Sequence, residues 1–148
     1  MASVWQYLTL GLGPETFGIE VAHVHEILDH RPAAALPQAP ASLIGMIDVR
    51  GQSYPVVDLR VRLGLAPAAP TPATRIVLLH VPVAGRELRV GLVADRVIEV
   101  TELDGAEMEA APEIGGRWRS EYIAGIGRRG ESFVVVFDLA ALLAGHDR

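Results

Sequence analysis

The sequence has 148 residues, of which 50% are hydrophobic and 21% are charged, so it is expected to fold as one domain or as two small ones sharing a core. Its net charge of −5 provides no basic surface for nucleic acid, and the absence of cysteine excludes disulfides and thiolate metal sites. The N-terminus lacks the features of a signal peptide, and the longest uncharged run contains Pro32, Pro37 and Pro40. We therefore expect a soluble cytoplasmic protein that does not insert into a membrane.

The first half of the chain is predicted to consist of short strands. YLTLGL and FGIEV flank GPET, which is typical of a hairpin turn. SYPVV follows Arg50–Gly51, where glycine supplies the unusual φ of a tight turn. Asp58 precedes a short apolar run that ends in glycine, which predicts a helix beginning at Asp58. The segment LAPAAPTPAT, rich in proline and alanine, then connects the two halves.

The second half repeats this order. RIVLLHV and LRVGLV flank PVAGRE, SFVVVF follows Arg129–Gly130, and Asp138 precedes DLAALLAG. GLVADRVIEV also aligns without a gap on GIEVAHVHEI, which places glycine on glycine and Glu99 on Glu26. These matches in the same order indicate an internal duplication. Short strands with frequent turns, present twice, predict a mostly β protein containing a small barrel or sandwich built twice.

A metal site would most plausibly use His23 and His25. Side chains two apart on a strand project from one face, so both imidazoles could chelate a metal. The repeat has Arg96 and Ile98 at these positions, and the other histidines match no ligand pattern (His30, His80 and His146). Surface histidines are therefore the favoured interpretation, and a metal-dependent enzyme using His23 and His25 is the alternative.

The sequence contains no other catalytic pattern. There is no GxSxG elbow, no phosphate-binding glycine loop and no cysteine nucleophile. Asp58 and Asp138 are interpreted as helix caps, because equivalent positions in two barrels are unlikely to meet across one substrate. We expect no enzymatic activity and no cofactor, and a binding role in a cleft between the subdomains instead. Val24 and Val97, which are equivalent in the repeat, are candidates for such a cleft, with core packing as the alternative.

Four segments in order resemble the CheW family of chemotaxis coupling proteins: FGIEVAHVHEIL, LPQAPASLIGMIDVRGQSYPVVDLRVRLGL, RVGLVADRVIEVTEL and EYIAGIGRRGESFVVVFDL. The most specific block runs from Pro37 to Leu59. The resemblance implies one CheW-like domain over residues 1–148, formed by two intertwined SH3-like five-stranded barrels with short helices. Approximate subdomains would be residues 1–70 and 71–148, with exchange of terminal segments.

The resemblance also implies a function. CheW-like proteins are non-enzymatic adaptors that join the cytoplasmic tip of a chemoreceptor to the regulatory domain of a CheA-type histidine kinase. Such a protein would be cytoplasmic and associated with membrane receptor arrays through these partners. The alternative is a CheW-like adaptor of a kinase pathway that controls pili or second-messenger synthesis, and no residue distinguishes the two.

Residues that match the family's motifs give the expected binding sites. The receptor-binding groove would contain Val24, Glu26, Gly45, Arg50, Val97 and Val100. A kinase-domain or ring contact would contain Pro112, Glu113 and Ile114. Arg50 matches the arginine of the family's N-L-R-G turn, but Asp48 stands where the family usually has asparagine. We therefore expect that Asp48 could pair with Arg50.

Overall fold

The computed structural model describes residues 4–104, 122–129 and 132–144. Strands dominate these ranges, which confirms the predicted mostly β class. The first repeat contains β1 (Val4–Leu12), β2 (Glu15–Glu20), β3 (Val24–Asp29), β4 (Leu43–Val49), β5 (Gln52–Asp58) and helix α1 (Leu59–Arg62). The second repeat contains β6 (Arg75–Val83), β7 (Arg86–Ala94), β8 (Arg96–Asp104), β9 (Ile123–Arg129), β10 (Ser132–Phe137) and helix α2 (Leu139–Ala144). Neither helix has the length and hydropathy that spanning a bilayer requires.

The strands form two five-stranded sheets that exchange strands between the repeats. The first sheet has the order β8–β1–β2–β10–β9 and the second has the order β3–β6–β7–β5–β4. Pairing is equivalent in both: β1 pairs with β8 as β6 pairs with β3, and the parallel pair β2–β10 corresponds to β7–β5. This arrangement agrees with the predicted pair of intertwined SH3-like barrels.

The exchange of strands between the repeats is not limited to the terminal segments of the chain. Each sheet combines the first two strands of one repeat with the last three strands of the other. Residues 1–70 and 71–148 therefore correspond to the two sequence repeats, and each range supplies strands to both sheets. The division of the chain into two subdomains at this boundary stays a prediction.

Two of the predicted turns lie within the described residues and have a left-handed backbone conformation at both central positions. Arg50 and Gly51, between β4 and β5, have φ values of 49° and 83°. Ala84 and Gly85, between β6 and β7, have φ values of 52° and 79°. Positive φ at both central residues is what a type I′ two-residue hairpin turn requires, and the twist of this turn matches that of the flanking strands.

Both predicted helix caps are confirmed. The carboxylate of Asp58 accepts hydrogen bonds from the backbone N–H groups of Arg60 (3.0 Å) and Val61 (3.4 Å) at the start of α1. The carboxylate of Asp138 accepts one from the N–H of Ala141 in α2 (3.1 Å). These bonds satisfy amides that have no partner within the helix.

The main hydrophobic core lies between the two sheets and draws on both repeats. Phe17 of β2 stacks on Phe137 of β10 with ring centroids 4.9 Å apart. The central core also includes Leu8 and Leu10 of β1, Val77 and Leu79 of β6, Leu59 of α1 and Leu142 of α2. Smaller clusters lie within each sheet. Because each buried leucine stabilises the fold by about 1.5–3 kcal/mol, this shared core strongly favours association of the two repeats.

Candidate partner-binding site

Arg50 presents its guanidinium at the surface and is held there by Glu26. Its Nη1 lies 2.9 Å from Oε1 of Glu26, and its Nη2 lies 2.8 Å from each carboxylate oxygen. The Arg50 side chain is 68% exposed and that of Glu26 is 28% exposed. Glu26 lies on β3 and Arg50 follows β4, and these are the two edge strands of the second sheet. The ion pair therefore links opposite edges of the sheet as it curls.

The expectation that Asp48 pairs with Arg50 is wrong. The charged partner of Arg50 is Glu26, and the backbone oxygen of Asp48 instead accepts a hydrogen bond from Nη2 of Arg31 (3.0 Å). Two residues apart on a regular strand would share a face, but the φ of 49° at Arg50 ends that alternation. The side chain of Arg50 can therefore turn toward β3.

Gly45 lies in β4 and allows another backbone segment to pack closely against this strand. It is buried in β4, where the backbone of Ala34 crosses it and exchanges two hydrogen bonds with Met46 (2.8 and 2.9 Å). A Cβ at Gly45 would collide with the carbonyl oxygen of Ala34. Gly45 thus admits the segment after β3 onto the edge of β4, and it offers no side chain to a partner.

Val24 and Val97 occupy equivalent positions at the edge of the central core. Both are half-buried and pack against it, Val24 beside Leu79 of β6 and Val97 beside Leu10 of β1. Val100 lies further along β8 and is 53% exposed. Val24 and Val97 therefore pack against the same core, whereas Val100 lies at the surface.

Two further exposed apolar residues were missed by sequence reasoning. Ile27 on β3 and Ile98 on β8 are both exposed, as is Val100. We call these three residues the edge-strand apolar surface, because β3 and β8 are edge strands of the two sheets. The alignment of the two repeats could have indicated Ile27, because it aligns Ile27 with Val100. Pro112, Glu113 and Ile114 lie outside the described residues.

His23 and His25 do not share a strand face, so that prediction is wrong. A 3-10 turn over Val21–His23 precedes β3, and His23 lies 4.0 Å from Glu20. His25 instead stacks on His80 of β6, with ring centroids 4.1 Å apart. Within the described ranges, no group of three or more potential metal ligands was found.

His80 lies at the centre of a small polar cluster that local sequence patterns do not indicate. Its Nε2 lies 2.8 Å from the hydroxyl of the buried Tyr54, and its Nδ1 lies 3.9 Å from Glu87. Burial lowers the pKa of His80, and the neighbouring His25 and Arg89 lower this pKa further, while Glu87 opposes the shift. These groups come from four strands, so only the folded chain brings them together.

Comparison with known proteins agrees with this geometry. Residues 6–146 match the family model of the CheW-like domain. A probable chemotaxis protein CheW of Rhizobium etli is 30% identical over 139 residues, covering 94% of this chain and 87% of that protein. The chemotaxis protein CheW of Klebsiella aerogenes is 28% identical over 142 residues, covering 96% and 83%. The crystal structure of the scaffolding protein TtCheW from Thermoanaerobacter tengcongensis has the same fold, with a TM-score of 0.86 at 23% identity over 99% of this chain and 97% of that one.

Proposed function

Since this chain belongs to the CheW-like family, we propose that it is a non-enzymatic adaptor that couples a chemoreceptor to a CheA-type histidine kinase. The observation that carries the proposal is the exposed guanidinium of Arg50, held in place by Glu26. The names of the relatives favour chemotaxis over a pathway controlling pili or second messengers. The adaptor would work in the cytoplasm, at receptor arrays that it reaches through its partners.

Arg50 has the chemistry to recognise the tip of a receptor. A guanidinium has five N–H donors, and Glu26 receives hydrogen bonds from Nη1 and Nη2 only. The remaining donors can reach a carboxylate or the carbonyl groups at the end of a helix. The tip of a chemoreceptor is a helical hairpin, so it offers both kinds of acceptor. Glu26 restricts the rotamers of Arg50 before binding, which lowers the entropic cost of the new contact.

The edge-strand apolar surface would supply the hydrophobic part of the same interface. Ile27, Ile98 and Val100 are exposed, while Val24 and Val97 fasten their strands to the central core. An amphipathic helix can bury residues of this kind against its apolar face. We propose that the receptor hairpin lies along β3 and β8 and that Arg50 contacts its polar face.

The kinase contact is proposed to lie elsewhere on the chain. Pro112, Glu113 and Ile114 match a family segment that contacts the regulatory domain of the kinase or a neighbour in the ring. Separate sites would allow the adaptor to hold receptor and kinase at the same time. The proposed mechanism contains no chemical step and needs no cofactor.

The variant Arg50→Ala tests this proposal. We expect it to weaken binding of a receptor-tip hairpin by roughly 1–3 kcal/mol, because a charge-assisted hydrogen bond is lost. Binding of the kinase regulatory domain should change much less. Stability should fall by no more than about 1 kcal/mol, because an exposed ion pair contributes little to folding. Calorimetric titrations with each partner and urea unfolding measure the three quantities.

Arg89→Ala is the matched control. Arg89 is also an exposed arginine of the second sheet, and it lies 3.5 Å from Glu87. Its removal should leave affinity for the hairpin unchanged. The recognition role of Arg50 would be wrong if Arg50→Ala lowered stability sharply while the folded protein kept its full affinity for the hairpin.

A further inference from the structure

The chain crosses from the second sheet to the first at one residue, Asp95, which lies between β7 and β8. The carboxylate of Asp95 accepts a hydrogen bond from the backbone N–H of Gly13, in the turn between β1 and β2 (2.7 Å). It also accepts bonds from Nε (2.9 Å) and Nη2 (2.6 Å) of Arg60 in α1. One carboxylate therefore joins three segments of the molecule.

Arg96 completes the contact with the same turn. Its Nη1 donates a hydrogen bond to the carbonyl oxygen of Gly13 (2.8 Å), and its guanidinium covers Gly11 so closely that a Cβ there would collide with it. Both backbone groups of Gly13 are thus bonded to the two residues that lead into β8. We call Gly13, Arg60, Asp95 and Arg96 the clasp.

The central ion pair of the clasp is largely shielded from solvent. The side chains of Arg60 and Asp95 are 20% and 27% exposed. The hydrogen bonds from Arg60 and Gly13 lower the pKa of Asp95, against the opposing effect of burial. Salt screens such a pair less than it screens exposed charges, and the two-pronged geometry fixes both partners.

The clasp occurs on one side of the duplicated fold only. Ala22 of the first repeat stands at the position of Asp95, and Ala140 of α2 in the second repeat stands at the position of Arg60. These alanines have no charged group with which to bond. The crossing from β2 into β3 is therefore built without a clasp, although the two sheets have the same strand pairing. Formation of an intertwined barrel does not by itself require these charges.

An irregularity at the start of β8 explains why the clasp is needed on this side of the fold. The ladder between β1 and β8 shifts register at Ile98, because Val97 pairs with Leu10 whereas Glu99 pairs with Thr9. A bulge of this kind interrupts the ladder and bends the strand. On the other side of the fold, the equivalent bulge residue His25 is held by stacking on His80. The position equivalent to His80 is Gly11, which offers no side chain for stacking.

We propose that Asp95 and Arg60 are positioning residues for partner binding, because they fix the first residues of β8 and so place Ile98 and Val100 against the receptor hairpin. This inference rests on the proposed function. Val97 follows Asp95 by two residues, and the bulge lies immediately beyond it. A change in the direction of β8 at the clasp therefore moves the apolar side chains relative to Arg50, which is fixed separately by Glu26.

The variants Arg60→Met and Asp95→Asn test the inference in the full-length protein. Each should weaken binding of the receptor-tip hairpin about three- to tenfold. Each should also speed amide hydrogen exchange in residues 97–101. The double variant should bind the hairpin with nearly the same affinity as the single variant that binds it less tightly, because both changes break the same contact. Affinity is measured at a temperature where every variant is fully folded.

Arg62→Met is the matched control. Arg62 lies on the same short helix, but its Nε donates to the carbonyl oxygen of Leu142 in α2 and its guanidinium lies 5.0 Å from the ring of Tyr122. Its loss should lower stability and leave both hairpin affinity and exchange in β8 near the wild-type values. If the clasp serves only the stability of the fold, Arg60→Met and Asp95→Asn should also lower stability and leave hairpin affinity and exchange in β8 near the wild-type values. That outcome would overturn the inference. Failure of the wild type to bind the hairpin would count against the proposed function, while unchanged exchange in β8 would count against positioning.

Discussion

Arg50 has a backbone conformation that few residues with a side chain adopt. Of the described residues other than glycine, it shares positive φ with Gln38 and Ala84 only. Left-handed conformations cost such residues about 1–2 kcal/mol relative to the right-handed region, and glycine would avoid this strain. The cost at Arg50 is consistent with a side chain retained for a contact. Its exposure and its pairing with Glu26 support the proposed contact with a partner.

His80 should make stability depend on pH near neutrality. Its pKa is lowered in the folded state, mainly by burial, so the unfolded chain binds a proton more readily. Its contribution to stability is therefore complete above the ordinary histidine pKa of about 6.5 and is lost as the pH falls through that value toward the folded one. Urea unfolding between about pH 7.5 and pH 5 should show this loss.

His80→Gln is the control for this pH dependence, because it removes the titrating group and should flatten the same part of the curve.

His25→Ile places at β3 the residue that the repeat has in β8, and it removes the neighbouring imidazole that also lowers the pKa of His80. An NMR titration should then show a higher pKa for His80 than in the wild type. A His80 pKa above the ordinary histidine value in the wild type would refute this account.

At the scale of elements, α1 depends on its cap because it has only four residues. Asp58→Ala should lower the free energy of unfolding by about 1 kcal/mol, since two amides at the start of α1 lose their acceptor. Asp138→Ala is the comparison, because only one such bond, to Ala141, is found there. Urea unfolding should rank the loss at Asp58 above that at Asp138, and the reverse order would contradict the assigned capping role.

The elements that the sequence predicted correctly are those determined by near neighbours. The turn at Arg50–Gly51 and the helix begun by Asp58 depend on residues within a few positions, so local patterns indicate them. The pairing of β1 with β8 joins residues about ninety positions apart, and no local pattern specifies it.

The same limit applies to the candidate site. The place of Asp48 two residues before Arg50 suggested it as the partner of Arg50, whereas the real partner, Glu26, lies on another strand and becomes reachable through the positive φ of Arg50. The stacking of His25 on His80 likewise depends on strand pairing. Sequence patterns therefore indicated which residues could bind a partner, and the fold determined which of them are in contact.

For the whole molecule, the exchange of strands makes the two repeats depend on each other. Each sheet takes strands from both repeats, and the central core contains residues of both. We expect the full chain to unfold in one cooperative transition, and residues 1–70 expressed alone to show none, because the first sheet would lack three of its five strands and the second sheet would lack two. Circular dichroism during urea unfolding tests this. Native-like cooperative unfolding of the isolated fragment would contradict it.

The most direct test of the adaptor function is sedimentation of this protein with a receptor-tip hairpin and the regulatory domain of a CheA-type kinase. We expect a complex that contains all three components and does not form when this protein is omitted. With Arg50→Ala, the kinase domain should remain bound while the hairpin is lost. Competition between the hairpin and the kinase domain for this protein, or binding of neither, would contradict the account.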